Sequence, residues 1–173
     1  MLGGPQAGVV VGPKALVEAL RNHPLQRALR IDKLSLAALE ATLRLYDAPT
    51  PAETRVPALR MLAEPPHEIE RRARLLVRRL HRRMPTMACT LRAAASLAGG
   101  GSLPGEGLPT TLVLLTLPGV APAECARRLR AAAPAVVGRI VDECFALDLR
   151  TVSPAEIDAL VDALVHAAQP ALR

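Results

Sequence analysis

The stretch "VVGRIVDECFALDLRTVSPAEIDALVDALV", residues 136–165, holds two strand signals and a helix signal in direct succession. Phe145, Leu147 and Leu149 alternate with Ala146, Asp148 and Arg150, the period of a strand with one buried face. Residues 136–141 and 144–149 therefore read as a hairpin. Ser153-Pro154-Ala155-Glu156 is a capping box with proline at the first helical position, so a helix starts there. Ile157, Leu160, Val161, Leu164 and Val165 then recur at helical period. A hairpin running straight into an amphipathic helix calls for an antiparallel sheet with helices laid on it.

Upstream of the hairpin the same unit continues. The segment PHEIERRARLLVRRLHRRM places Ile69, Ala73, Leu76, Val77, Leu80 and Met84 on one apolar stripe. Glu68 and Glu70 are spaced to pair with Arg72 and Arg74 at i,i+4. A strand is expected near residues 88–94, then the glycine loop GGGSLPGEGLP. The continuous apolar run TLVLLTL, residues 111–117, predicts a central strand. Residues 122–133 predict a helix with Cys125, Ala126 and Leu129 inward. The order α-β-β-α-β-β-α makes this an α+β domain, with an antiparallel sheet and helices on one face.

The first third of the chain reads differently. GVVVG, residues 8–12, is a short apolar run between glycines and predicts a buried strand. Pro13 opens a helix carrying Leu16, Val17 and Leu20, which Asn22-His23-Pro24 ends. Asp32 can cap a second helix over residues 33–46. That helix is apolar on most sides, the pattern of one buried between layers. Residues 47–66 carry five of the 16 prolines and read as a linker in which Thr50-Pro51-Ala52-Glu53 could start a single turn.

Composition narrows the function. Half of the 173 residues are apolar, yet the aromatics are one Tyr and one Phe, so the core is built from Leu, Val and Ala. The net charge of +6 favours an anionic partner, although an arginine- and alanine-rich composition also follows from a GC-rich genome. Cys89, Cys125 and Cys144 lack metal-ligand or disulfide spacing, which fits a reducing cytoplasm. The longest uncharged stretch, residues 107–123, contains Pro109 and Pro118 and reads as a strand with its loops rather than a membrane span. His23, His67, His81 and His166 are isolated in sequence, so no metal site is expected. Gly8 to Lys14 fails the phosphate-loop spacing.

The arginines carry more information. Arg27 and Arg30 stand at i,i+3 and share a face if the segment is helical. Two adjacent guanidiniums suit a phosphate-like anion, and a solvated basic patch is the other reading. The row Arg71, Arg72, Arg74, Arg78, Arg79, Arg82 and Arg83 is either a solvated outer face or a track for an RNA backbone. With so few aromatics, single-strand reading by stacking is disfavoured, and a folded RNA held by its phosphates remains open.

The stretches LGGPQAG, HPLQRALRIDKLSLAALEATLRLY, GGGSLPGEGLP and VVGRIVDECFALDLRTV resemble, in order, bacterial L-seryl-tRNA(Sec) selenium transferases, the selenocysteine synthases. The resemblance covers nearly the whole chain. It implies the C-terminal part of a pyridoxal-phosphate enzyme of the aspartate aminotransferase fold (fold type I), a cytoplasmic homo-oligomer of dimers. Such enzymes convert seryl-tRNA(Sec) to selenocysteinyl-tRNA(Sec) with selenophosphate, the cofactor acting as electron sink. On that resemblance residues 1–47 are the end of the large domain and its connecting helix, 48–65 a linker, and 66–173 the small domain. Arg27 and Arg30 fall on two arginines that hold the anionic end of the selenium donor. Gly3, Gly4, Pro5 and Gln6 form the loop beyond the cofactor lysine. That lysine belongs to the run D-K-L-L-G-G-P-Q, and Met1 takes the place of the residue directly after it. Lys14 and Lys33 lie at other motif positions. The resemblance thus implies a chain without the Schiff-base lysine, with no covalently bound cofactor and no turnover alone. A further implied role is as a non-catalytic piece binding tRNA or complementing a separate cofactor-binding half. Glu143-Cys144 departs from the family pattern, since many members have a turn built on Asp-Gly there.

Overall fold

A computed structural model describes residues 2–99 and 107–169. The chain divides into two compact units, Met1–Ala63 and Glu64–Arg173. Met1, most of the glycine loop between residues 99 and 109, and residues 170–173 lie outside the described residues.

The second unit is a four-stranded antiparallel sheet with helices. Helix α5 is Pro66–Arg83, strand β1 Ala88–Ser96, β2 Leu108–Thr116, helix α6 Pro122–Arg130, β3 Arg139–Val141, β4 Cys144–Asp148 and helix α7 Ile157–Ala168. The strand order is β1-β2-β4-β3, with β2 inside the sheet as its apolar run predicts. Val113 and Leu115 of β2 and Phe145 and Leu147 of β4 share one core with Ile69, Leu76 and Leu80 of α5, Leu129 of α6, and Leu160 and Leu164 of α7. Each such side chain contributes about 1.5 to 3 kcal/mol on burial. The capping box forms as spaced: Glu156 Oε2 accepts from the Ser153 backbone N–H at 2.8 Å and Ser153 returns the contact. A short 3-10 turn, Pro154–Glu156, leads from it into α7.

Local differences from the expectations have physical causes. Strand β3 begins at Arg139 rather than Val136, and just before it Gly138 passes so close to β4 that a Cβ there would run into Phe145 Cζ and stand 2.6 Å from the Ala146 carbonyl oxygen. The hairpin turn is Asp142-Glu143, between the two strand segments marked out in the sequence, and both residues take positive φ, 47° and 59°. Such a turn twists with the strands but favours Asn or Gly at these positions. Glu68 pairs with Arg71 at 2.8 Å instead of Arg72. Arg72 turns inward, where its Nη1 donates to the Val152 carbonyl at 3.1 Å and Nη2 forms an ion pair with Glu64 at 3.1 Å. Glu70 and Arg74 pair as spaced, at 2.5 Å.

The first unit is helical among its described residues. Helix α1 is Lys14–Asn22, α2 Lys33–Arg44, α3 Ala52–Arg55 and α4 Pro57–Ala63. Pro13 is the N-cap of α1 rather than its first helical residue. Asp32 caps α2 by accepting from the backbone N–H groups of Leu34 and Ser35, each at 2.9 Å. The stretch 47–66 carries α3 and α4 in place of irregular chain. Residues 8–12 form no strand and Val11 is 89% exposed, which corrects the buried-strand expectation. The described residues of this unit contain no strand to pair with, so GVVVG has no ladder to join. Nor is α2 buried between layers: none of its residues is buried and Leu34 is 84% exposed.

Candidate functional site

The loop of Gly3, Gly4, Pro5 and Gln6 is seated by three side chains that sequence reasoning did not connect to it. Gly3 sits at φ 84°, and a Cβ there would run into Val56 Cγ1. A Cβ on Gly4 would stand 2.7 Å from Thr42 Oγ1 and 3.0 Å from Thr42 Cβ. Both positions therefore demand glycine, the first by backbone conformation and the second by close approach. The Tyr46 hydroxyl donates to the Leu2 carbonyl at 2.8 Å, tying the loop to the residue just past the end of α2. Thr42 is itself held, its hydroxyl donating to the Ala38 carbonyl at 2.8 Å. The Asp32 cap starts α2 and so sets where Thr42 and Tyr46 stand. A leucine-rich helix followed closely by the chain's only tyrosine was the available signal.

Arg27 and Arg30 are both exposed. The helical turn that would align them is shorter than the spacing assumes. It is a 3-10 turn, Pro24–Arg27, closed at Ala28, so Arg30 lies outside it. His23 starts that turn, its Nδ1 accepting from the Leu25 N–H at 3.2 Å. Arg21 and Lys33 flank the two arginines, and Asp32 is the one acid between them. Hydrogen bonds from Ser35 hold the Asp32 carboxyl below the usual carboxylate range, so it stays charged as a helix cap. The segment therefore carries a cationic excess.

Neither lysine fits a covalently held pyridoxal phosphate. Lys14 is exposed on the first turn of α1 and lies 3.8 Å from Glu18. Lys33 is exposed at the first position of α2. A Schiff-base lysine stands inside a desolvated cofactor pocket, and both of these side chains are exposed. Cys89 and Cys125 offer no nucleophile in their place, since burial pushes both up to about 11. Among the described residues no three His, Cys, Asp or Glu side chains gather as metal ligands. Among the described residues no helix is long and apolar enough to cross a membrane.

In the second unit, polar chemistry concentrates around Arg150, which the strand pattern places on the solvent side. It is buried instead. Its Nε donates to Ser96 Oγ at 3.2 Å, Nη1 to the Glu64 carbonyl at 3.2 Å and Nη2 to the Pro109 carbonyl at 2.6 Å. Asp148 completes the cluster, accepting from Ser96 Oγ at 2.5 Å, Thr110 Oγ1 at 2.8 Å and the Arg150 N–H at 3.1 Å. The cluster pins the end of β1 to the start of β2, the two legs of the glycine loop.

The profile of the L-seryl-tRNA selenium transferase family matches residues 1–153. The chain belongs to that family. It is 46% identical over 165 residues to the L-seryl-tRNA(Sec) selenium transferase of Geotalea uraniireducens, covering 95% of this chain and 36% of that protein. The Geobacter sulfurreducens protein of the same name is 48% identical over 168 residues, with the same two coverages. That of Hyphomonas neptunium is 44% identical over 165 residues, covering 94% of this chain and 35% of its own length. The chain thus spans about a third of the length of the curated selenium transferases it matches. The family match takes in the glycine-loop seat, Arg27, Arg30 and the Arg150 cluster alike.

Proposed function

We propose that this chain is the C-terminal portion of a selenium transferase that converts seryl-tRNA(Sec) to selenocysteinyl-tRNA(Sec) with selenophosphate, and that it is inactive alone. The observation that carries the reading is similarity at about 45% identity along nearly all of this chain to selenium transferases almost three times its length. In this reading residues 1–47 end the large domain of an aminotransferase-like (fold type I) enzyme, 48–65 link it, and 66–173 form the small domain. Gly3, Gly4, Pro5 and Gln6 are the active-site loop, and Tyr46, Thr42 and Val56 position it. Arg27 and Arg30 hold the anionic end of the selenium donor. Pyridoxal phosphate, bound by a lysine preceding the loop in the longer enzymes, supplies the electron sink. The complete enzyme works in the cytoplasm as a homo-oligomer of dimers.

The test is borohydride trapping of the purified chain with pyridoxal phosphate, followed by an absorbance scan. No stable adduct is expected; a stoichiometric lysine adduct overturns the reading of inactivity.

A second reading is favoured by one observation. Leu16, Leu20, Leu34 and Leu36 stay more than half exposed, as on a surface that another polypeptide covers. On this reading the chain is a non-catalytic piece that complements a separate cofactor-binding half. Co-expression with the remaining two-thirds of a selenium transferase is expected to give a co-purifying complex. Independent elution of the two chains sinks it.

A further inference from the structure

We propose that the last two turns of α5 form a phosphate-docking surface for a folded RNA, centred on Arg78 and Arg82. The proposal builds on the tRNA reading above and gives that RNA a place to rest. Ion pairing separates the seven arginines of α5 into two classes. Arg71 and Arg74 are satisfied within the helix by Glu68 and Glu70, and Arg72 is buried against Glu64. Arg79 and Arg83 reach across to Asp158 and Asp162 of α7. Arg78 and Arg82 are exposed, and among the described residues neither forms an ion pair.

These four C-terminal arginines form two adjacent rows, 78 with 82 and 79 with 83. Like charges at i,i+4 cost stability unless an anion lies over them. The helix dipole accounts for basic residues in the final turn, but Arg78 lies before it. Beside the rows opens a cleft of about 340 Å3 lined by Arg79, Arg82 and Arg83 together with Asp158 and Asp162. Arg79 and Arg83 each commit a single nitrogen to their aspartates, leaving further N–H donors of each fork for a phosphate. Four guanidiniums against two carboxylates leave the surface cationic.

The geometry suits a polymer of phosphates. Arg78 and Arg82 stand about 6 Å apart along the helix axis, near the separation of consecutive phosphates on a nucleic-acid strand. Base stacking is not on offer: Phe145 is buried in the core, and the other aromatic, Tyr46, belongs to the first unit. The contact is therefore to backbone, as for a folded RNA read by shape. No large exposed apolar side chain lies on α5, so a lipid surface would find no anchor there.

The test is an anisotropy titration of the complete chain with a labelled, folded tRNA(Sec) transcript between about 50 and 200 mM salt. Arg78→Gln with Arg82→Gln is expected to weaken binding about tenfold and to lower the slope of log K against log salt by about 1.4 to 1.8. Arg71→Gln with Arg74→Gln is expected to leave that slope unchanged, and both double variants should keep the parent melting temperature. Retained tRNA binding with an unchanged slope in the first variant overturns this surface while leaving the tRNA reading intact. So does an equal loss in the second variant, or equally tight binding to phosphatidylserine vesicles. No tRNA binding by the parent chain overturns both.

Discussion

In the second unit Leu76, Leu80 and Leu129 are fully buried, whereas in the first Leu29, Leu34 and Leu36 face solvent. Both units are rich in leucine at helical period. The difference lies in what faces them. α5, α6 and α7 have a sheet to cover, and Val113, Leu115, Phe145 and Leu147 supply the opposite half of the core. α1 and α2 are well-formed helices with no such layer. Caps and periodicity write a helix; burial needs a second surface across from it.

The largest expected break in this contrast is in the core. Leu76→Ala is expected to cost about 3 to 5 kcal/mol in denaturant unfolding. Leu34→Ala should change it by less than about 0.5 kcal/mol. Replacing Leu34 and Leu36 by Glu should instead raise solubility, since the isolated chain is expected to associate through this face. Equal destabilisation by the two alanine variants would erase the distinction between the units.

Next comes the buried polar cluster. Arg150→Met removes the guanidinium that serves Ser96 Oγ and the Glu64 and Pro109 carbonyls, an expected loss of about 3 kcal/mol in the same unfolding experiment. In the first unit the corresponding hydrogen bond is single. Tyr46→Phe should raise amide exchange at Gly3 and Gly4 by the equivalent of about 1 kcal/mol and leave unfolding of the second unit untouched. Gly3→Ala should release the loop altogether in that measurement. A smaller gain is expected at the hairpin, where Glu143→Gly relieves a positive φ and should stabilise by about 0.5 to 1 kcal/mol in thermal unfolding.

The smallest effect is electrostatic. Hydrogen bonds from Arg127 and Arg128 lower the Glu124 pKa from 4.5 to about 2. A depressed carboxylate pKa stabilises above the ordinary value and loses that contribution as pH falls from 4.5 towards 2. Glu124 is exposed to solvent screening, so the readout is its own titration by NMR. Arg127→Ala with Arg128→Ala should return its midpoint to the ordinary glutamate range. An unmoved midpoint would mean that the pairs do not persist in solution.

Much of the second unit was legible in the sequence. The capping box at Ser153, the stripe of α5, the inward face of α6 and the central position of β2 follow from spacing alone. The candidate site was less so. Arg27 and Arg30 were visible as a pair, but the short turn beneath them was not, because a 3-10 turn and an α-turn share the same residues. GVVVG reads as a strand by composition, and a strand exists only where another offers it hydrogen bonds. Tyr46 and Thr42 gave no sign that they hold the glycine loop, since 44 residues of chain separate Tyr46 from Leu2.

By itself the sequence determined α1, α2, α5, α6 and α7, the hairpin, the central strand and the family, because periodicity, caps and motifs are local properties of the chain. Only the tertiary structure decided which arginines are spent. Arg72 and Arg150 turned inward, Arg79 and Arg83 crossed to α7, and Arg78 and Arg82 were left exposed. Neighbouring arginines are chemically identical in the sequence, and their carboxylate partners lie up to 79 residues away, so only folding could choose among them.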